Sequence, residues 1–224
     1  MNVKRNPGEQ IYTGGFYHAY NRGVDKRKVF MDDGDRFRFL FGLYEFNDKN
    51  FATNFGWKIT RNPGEWPEKN RECLVDILAF VLMGNHFHLL LRQATDNGVS
   101  EFMRKVGSGY TNYFNIRYHR NGALFQGKYQ FRPVEDDGYL HKLHEYIHLN
   151  PTEILKPGQK LTSYRWSSLP YYQLGRKEFS SILNMELAQK LGLKKLSLPD
   201  QVGERTRKET TALEVQLGNL AIAD

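Results

Sequence analysis

Hydrophobic and polar positions along the chain fall into blocks of two periods. In "GFYHAYNRG", Gly15 to Gly23, aromatics alternate with small or polar residues and the block closes on a glycine, which predicts a first strand. A helix is expected next. Asp32, Asp33 and Asp35 supply cap and first-turn acids, and Phe37, Phe39, Leu40, Leu43, Tyr44 and Phe46 mark an apolar face running to about Asn47. From Leu74 to Arg92 the run "LVDILAFVLMGNHFHLLLR" is apolar and β-favouring, broken only by the turn-forming pair Gly84-Asn85, so two adjacent strands are expected. Helical spacing returns in Phe102, Met103, Val106, Tyr110, Tyr113 and Phe114, with Ser100 as the expected cap and Asn121-Gly122 as the end. A short strand at Lys128–Val134 and a helix from about Tyr139 to Asn150, stopped by Pro151, complete the patterned part.

Between these blocks the pattern fades. Asp48 to Glu72 is rich in Asn, Gly, Pro and charges and reads as a loop or twisted hairpin insertion around Trp57 and Trp66. The five residues "RNPGE" at Arg5 recur at Arg61, a match too short for a repeat unit. Pro157, Gly158, Pro170 and Gly175 mark an irregular return segment, and beyond Leu193 the chain is charged and weakly patterned, a helical or flexible tail.

Composition narrows the class. With 40% hydrophobic and 14% aromatic residues in 224, the chain can bury a real core as a globule. Its longest uncharged apolar stretch, Ile77 to Met83, is far too short to cross a bilayer, and Met1–Gln10 lacks the apolar segment of a signal peptide. The single cysteine, Cys73, excludes an internal disulfide and a multi-cysteine zinc site and suits a reducing cytoplasm, the expected location. A net charge of +7 raises the expectation of a polyanionic partner without identifying it.

Three constellations carry chemistry. In "NHFHLLL", Asn85 to Leu91, strand alternation puts His86 and His88 on one face and Phe87 and Leu89 on the other, so two imidazoles can share a metal ion. Two half-buried strand histidines bonded to backbone have the same spacing and are the commoner case for an isolated His-x-His. In "YIHLNP", Tyr146 and Asn150 lie one helical turn apart on one face, with Lys142 a turn earlier and His148 facing elsewhere. A core tyrosine and a helix-ending Asn before Pro151 have the same pattern. Third, Phe102 to Val134 contains Arg104, Lys105, Arg117, Arg120, Lys128 and Arg132 and no acid, interleaved with Tyr110, Tyr113, Phe114, Tyr118, Phe125, Tyr129 and Phe131. Such a mixture can pair phosphates and stack unpaired bases, or be a solvated basic face whose aromatics, Tyr113 and Phe114 above all, sit in the core.

Taken in series, "NHFHLLL" at Asn85, "YTNYFN" at Tyr110, "LFQGKYQ" at Leu124, "YIHLNP" at Tyr146 and "SYRWSSLPYY" at Ser163 closely resemble the REP-associated type of single-tyrosine HUH transposases. The resemblance spans about Gly15 to Tyr172. It implies an α+β, ferredoxin-like HUH core: an antiparallel sheet with helices mainly on one face and the histidines on a central strand facing the tyrosine helix. It divides the chain into a catalytic domain over 1–172, with an insertion near 48–72, and a C-terminal extension over 173–224. Gly84, where relatives often carry proline, is a departure that bears on the turn.

By this resemblance His86, His88 and Asn150 are the metal ligands and Tyr146 is the nucleophile that breaks one DNA strand. The implied activity is transposition by metal-dependent cleavage and rejoining at hairpin, REP-like elements through a 5′-phosphotyrosine. Imidazoles favour Mn²⁺ and abundance favours Mg²⁺, with zinc a further imidazole binder. Lys142 is a candidate support for the phenol or a phosphate, and the six basic residues of the third constellation are the candidate DNA contacts. The expected partner is single-stranded or hairpin DNA, with no membrane, and the protein is expected to be a monomer or homodimer. Two rival readings remain open at this stage: a non-catalytic hairpin-binding protein, and a replication-initiator or relaxase-type HUH nickase.

Overall fold

A computed structural model describes residues 11–50, 66, 71–193, 196, 198 and 201–217. Four strands, β1 (Phe16–Arg22), β2 (Val75–Leu82), β3 (His86–Gln93) and β4 (Gln130–Val134), form one antiparallel sheet in the order β2-β3-β1-β4. Helix α1 (Asp33–Glu45) links β1 to β2, and α2 (Gly98–Arg117) links β3 to β4. The β-α-β-β-α-β order with β1 and β3 innermost is the ferredoxin-like arrangement the resemblance implies.

Register decides which residues share a face. Tyr20 pairs with His88 and Arg22 with His86, so His18, Tyr20, Arg22, His86 and His88 project together, and Tyr17, Ala19, Phe87 and Leu89 point the other way. The second set packs on α1 and α2, where the Phe39 ring lies 4.8 Å from Phe87 and the buried Tyr110 hydroxyl donates to Val29 O at 2.5 Å. Asp32 caps α1 by accepting from the Asp35 amide. Asp35, fully buried, accepts from the Met31 amide, the Tyr113 and Tyr118 hydroxyls and Arg117, which fastens α1 to the last turns of α2.

Helix α2 differs from expectation at both ends. Its cap is Asn97, left-handed at φ 57° and without a side-chain cap bond, and Ser100 lies inside the first turn, accepting from the Tyr129 hydroxyl at 3.2 Å. The chain is forced here by close packing: a Cβ on Gly98 would sit 2.1 Å from Leu74 O, so only glycine lets the helix start against β2. The helix ends at Arg117, short of Asn121-Gly122, and the left-handed His119 and Gly122 reverse the chain.

Helix α3 (Asp137–Leu149) is capped by Asp136, whose carboxylate accepts from the Tyr139 amide at 2.7 Å, and runs into a 3-10 turn at Asn150–Glu153. It lies over the histidine face, giving the sheet a second covering layer besides α1 and α2. The return segment, irregular as expected, is nevertheless seated along the outer edge of β2. Leu82 N donates to Trp166 O, Ser168 N to Phe80 O, Phe80 N to Ser168 Oγ, Asn184 N to Ile77 O and the Tyr172 hydroxyl to Leu78 O. It carries α4 (Leu169–Leu174) and α5 (Met185–Lys190). After Leu193 the described chain forms α6 (Glu204–Gln216), which packs on α3, with the Thr152 and Thr210 hydroxyls 3.2 Å apart.

Most of the expected insertion lies outside the described residues, Trp57 included, as do both copies of "RNPGE" and the tail beyond Leu217. Trp66 itself is buried against Phe41 and Tyr44. Among the described residues no helix is long and apolar enough to cross a membrane.

Candidate metal and tyrosine centre

His86 and His88 occupy the start of β3, whose central place in the sheet follows from its apolar sequence. Their rings stand 5.1 Å apart and nearly perpendicular, His86 slightly exposed and His88 fully buried. Asn85, from the turn, places Oδ1 2.7 Å from His86 Nδ1. With the amide oxygen as acceptor, Nδ1 carries the proton and Nε2 keeps its lone pair. Helix α3 brings Tyr146 edge-on to His88 with centroids 5.6 Å apart, so tyrosine and histidines meet within one chain. Asn150 follows one turn later, its Nδ2 donating to Tyr146 O at 2.9 Å.

The electrostatics are those of a dry pocket. Burial, then the neighbouring His18 and His86, hold His88 well below the ordinary imidazole range, so it is neutral. Burial also raises the Tyr146 phenol, helped by Glu214 and Glu153, while the Asn150 side chain pulls it down. At 2% exposure the tyrosine is sealed in this conformation.

The donor set fits a divalent ion. His88 Nε2 is buried and without a hydrogen-bond partner, as a neutral ligand nitrogen would be before it meets a cation. Among the described residues no three His, Cys, Asp or Glu side chains gather as a metal cluster; Asn150, buried one turn after Tyr146, carries an amide oxygen of the kind a divalent ion accepts as a ligand.

Two features escaped the sequence reading. His18, on β1, sits fully buried with Nε2 2.8 Å from His88 Nδ1. The only local signal was its place in the alternation of "FYHAY"; the partnership depends on cross-strand register. Helix α3 also spells His144-Glu145-Tyr146-Ile147-His148, the H-E-x-x-H string of helical zinc sites. Its histidines point away from Tyr146, into a packed seam where both rings touch Tyr172 and His148 Nε2 meets Ser168 Oγ at 2.7 Å.

The candidate DNA contacts fall into distinct settings. Arg104 and Lys128 are exposed and flank a recess of about 800 Å³ between α2 and the approach to β4, floored by Phe87, Phe125 and Phe131. Arg132 pairs in register with His18, on the histidine face. Lys105 is held by Glu101 and Asp48 O, and Arg120 by Asn115 and Ala123 O. Arg117 is engaged by Asp32 and Asp35. Lys142 is exposed on α3.

The site thus sets two histidines on a central strand, the buried His88 among them, against a helix tyrosine with an amide one turn on. Residues 66–150, which contain both histidines, Tyr146 and Asn150, match the family described as transposase, IS200-like. No curated protein matches the chain. The fold is similar to that of a REP-associated tyrosine transposase solved bound to a REP hairpin, with a TM-score of 0.51 and 13% identity over 80% of this chain and 88% of that one.

Proposed function

We propose that this protein cleaves and rejoins single-stranded DNA at hairpin, REP-like elements in the course of transposition, with Tyr146 as nucleophile and His86, His88 and Asn150 holding Mg²⁺ or Mn²⁺. The observation that carries the reading is the convergence of Tyr146 on the buried His88, whose Nε2 has no protein partner. The match of residues 66–150 to the IS200-like transposase family supports it, and the REP hairpin in the similar structure supports the class of substrate. The division into a catalytic domain over 1–172 and an extension over 173–224 is part of the same proposal.

When bound, the ion would draw charge from a non-bridging oxygen of the scissile phosphate and make phosphorus more electrophilic. Burial keeps the Tyr146 phenol protonated at rest, so its proton leaves as the oxygen attacks. The new bond joins Tyr146 Oη to phosphorus and the P–O3′ bond breaks, leaving a 5′-phosphotyrosine and a 3′-oxygen that takes up a proton. Rejoining reverses the exchange without ATP. Because Tyr146 is sealed, its surroundings must shift to admit a phosphate.

Arg132 is placed to meet phosphate on the histidine face, and Arg104 and Lys128 to grip DNA beside the aromatic recess. Lys105, Arg117 and Arg120 add positive potential while tied to their own partners. Lys142, a turn before Tyr146, can support the phosphate.

The test is incubation of a labelled single-stranded oligonucleotide, carrying a palindromic element from beside the gene, with Mn²⁺ or Mg²⁺. We expect a nick and a covalent protein–DNA adduct with the wild type and neither with Tyr146→Phe. Tight hairpin binding without nick or adduct would establish a binding protein instead.

A further inference from the structure

We infer that His18 is the positioning residue of the metal centre: its Nε2 accepts the Nδ1 proton of His88 and so keeps the His88 Nε2 lone pair directed at the ion. The inference rests on the metal reading above and adds a residue outside its motifs. Both rings are fully buried, nearly coplanar in orientation at 13°, with centroids 5.0 Å apart and Nε2 of His18 2.8 Å from Nδ1 of His88.

Proton counting gives this contact its meaning. Two neutral imidazoles share two protons among four nitrogens, and one proton occupies the N–H···N bond. If His18 donates, the His88 proton is displaced to Nε2, where it blocks a metal. If His88 donates, its Nε2 is a bare lone pair and the remaining proton rests on His18 Nδ1. Neither His88 Nε2 nor His18 Nδ1 has another hydrogen-bond partner to decide between the two states. An ion bound at His88 Nε2 selects the second, so His18 must act as acceptor. Asn85 performs the same service for His86, and an acceptor behind a ligating histidine is what fixes its tautomer and ring angle.

The surroundings make His18 a rigid support. It lies on inner strand β1, Tyr20 stacks on it at 4.7 Å and the edge of Tyr146 approaches it at 6.4 Å, so its ring has no free side to rotate into. His18 thus touches the ligand and the tyrosine ring while remaining behind the reacting atoms.

The test combines Mn²⁺ affinity, read from the paramagnetic resonance of free Mn²⁺, with the His88 tautomer, read from long-range proton–nitrogen NMR. We expect His88 protonated on Nδ1 in the wild type. His18→Leu should weaken Mn²⁺ binding roughly 10–100-fold and release the tautomer, whereas His18→Gln, whose amide oxygen can accept the same proton, should recover most of the affinity. Wild-type uptake of Mn²⁺ that is lost in His88→Ala but unchanged in His18→Leu would overturn the role of His18 and leave the metal reading intact. No Mn²⁺ uptake by the wild type would overturn both. Should His18→Leu fail to fold, the wild-type spectrum decides: His88 protonated on Nε2 instead of Nδ1 would overturn the inference.

Discussion

His86 and His88 on the sheet and His144 and His148 on helix α3 are two buried histidine pairs, each carrying the spacing of a metal motif, set on either side of one tyrosine helix. The first pair faces Tyr146 and keeps a buried nitrogen, His88 Nε2, with no partner. The second is wedged against Tyr172, with one ring bonded to Ser168. Each pair also contains an orphaned nitrogen in this structure, so orphaned atoms alone do not separate them. What separates them is company: the first pair faces the Tyr146 ring, and the second meets Tyr172 and the Ser168 hydroxyl. Motif spacing specifies a shared face, and the neighbouring elements decide what that face meets.

The contrast is sharpest in a double measurement. His88→Ala should reduce Mn²⁺ affinity by about 100-fold or more, whereas His148→Ala should leave it unchanged and lower the unfolding free energy by about 2–4 kcal/mol, read by urea titration. Loss of metal binding in His148→Ala with its fold intact would merge the two pairs into one site.

Acid tests the helix pair next. Burial presses His148 down to about 3 and holds His144 well below the usual range. The unfolded chain, with histidines near 6.5, takes up protons that the folded chain refuses, so stability is full above about pH 6.5 and falls as pH drops towards 3. For His148 alone the loss at pH 5 is about 2 kcal/mol, and His148→Gln should flatten the urea midpoint between pH 7 and pH 5 accordingly. An identical pH slope in the variant would show that the seam already admits the charged ring. The smallest effect belongs to Ser168→Ala, which removes the hydroxyl shared by His148 and the Phe80 amide and should cost about 1–3 kcal/mol without changing Mn²⁺ affinity.

The strands and the long helices were legible in the chain because alternation and helical spacing are local properties. The glycine at 98 was not recognised as a helix start, because its reason lies in Leu74 O, a neighbour brought by folding. Ser100 has the right chemistry for a cap and the wrong place. Likewise His86, His88, Tyr146 and Asn150 were named through motifs, while His18 depended on the register of β1 against β3, which no local pattern contains. The return segment was invisible as structure because its short turns have little periodicity; its order comes from hydrogen bonds to β2.

Those bonds have a consequence for self-association. An outer strand with bare amides and carbonyls is a template for a second chain, yet β2 is already occupied by Trp166, Ser168, Tyr172 and Asn184. At the opposite rim β4 is only five residues long and contains Pro133, which has no amide proton to offer. Sheet extension across copies is therefore blocked on one rim and spoiled on the other, leaving helices and loops as the surfaces through which two molecules can meet.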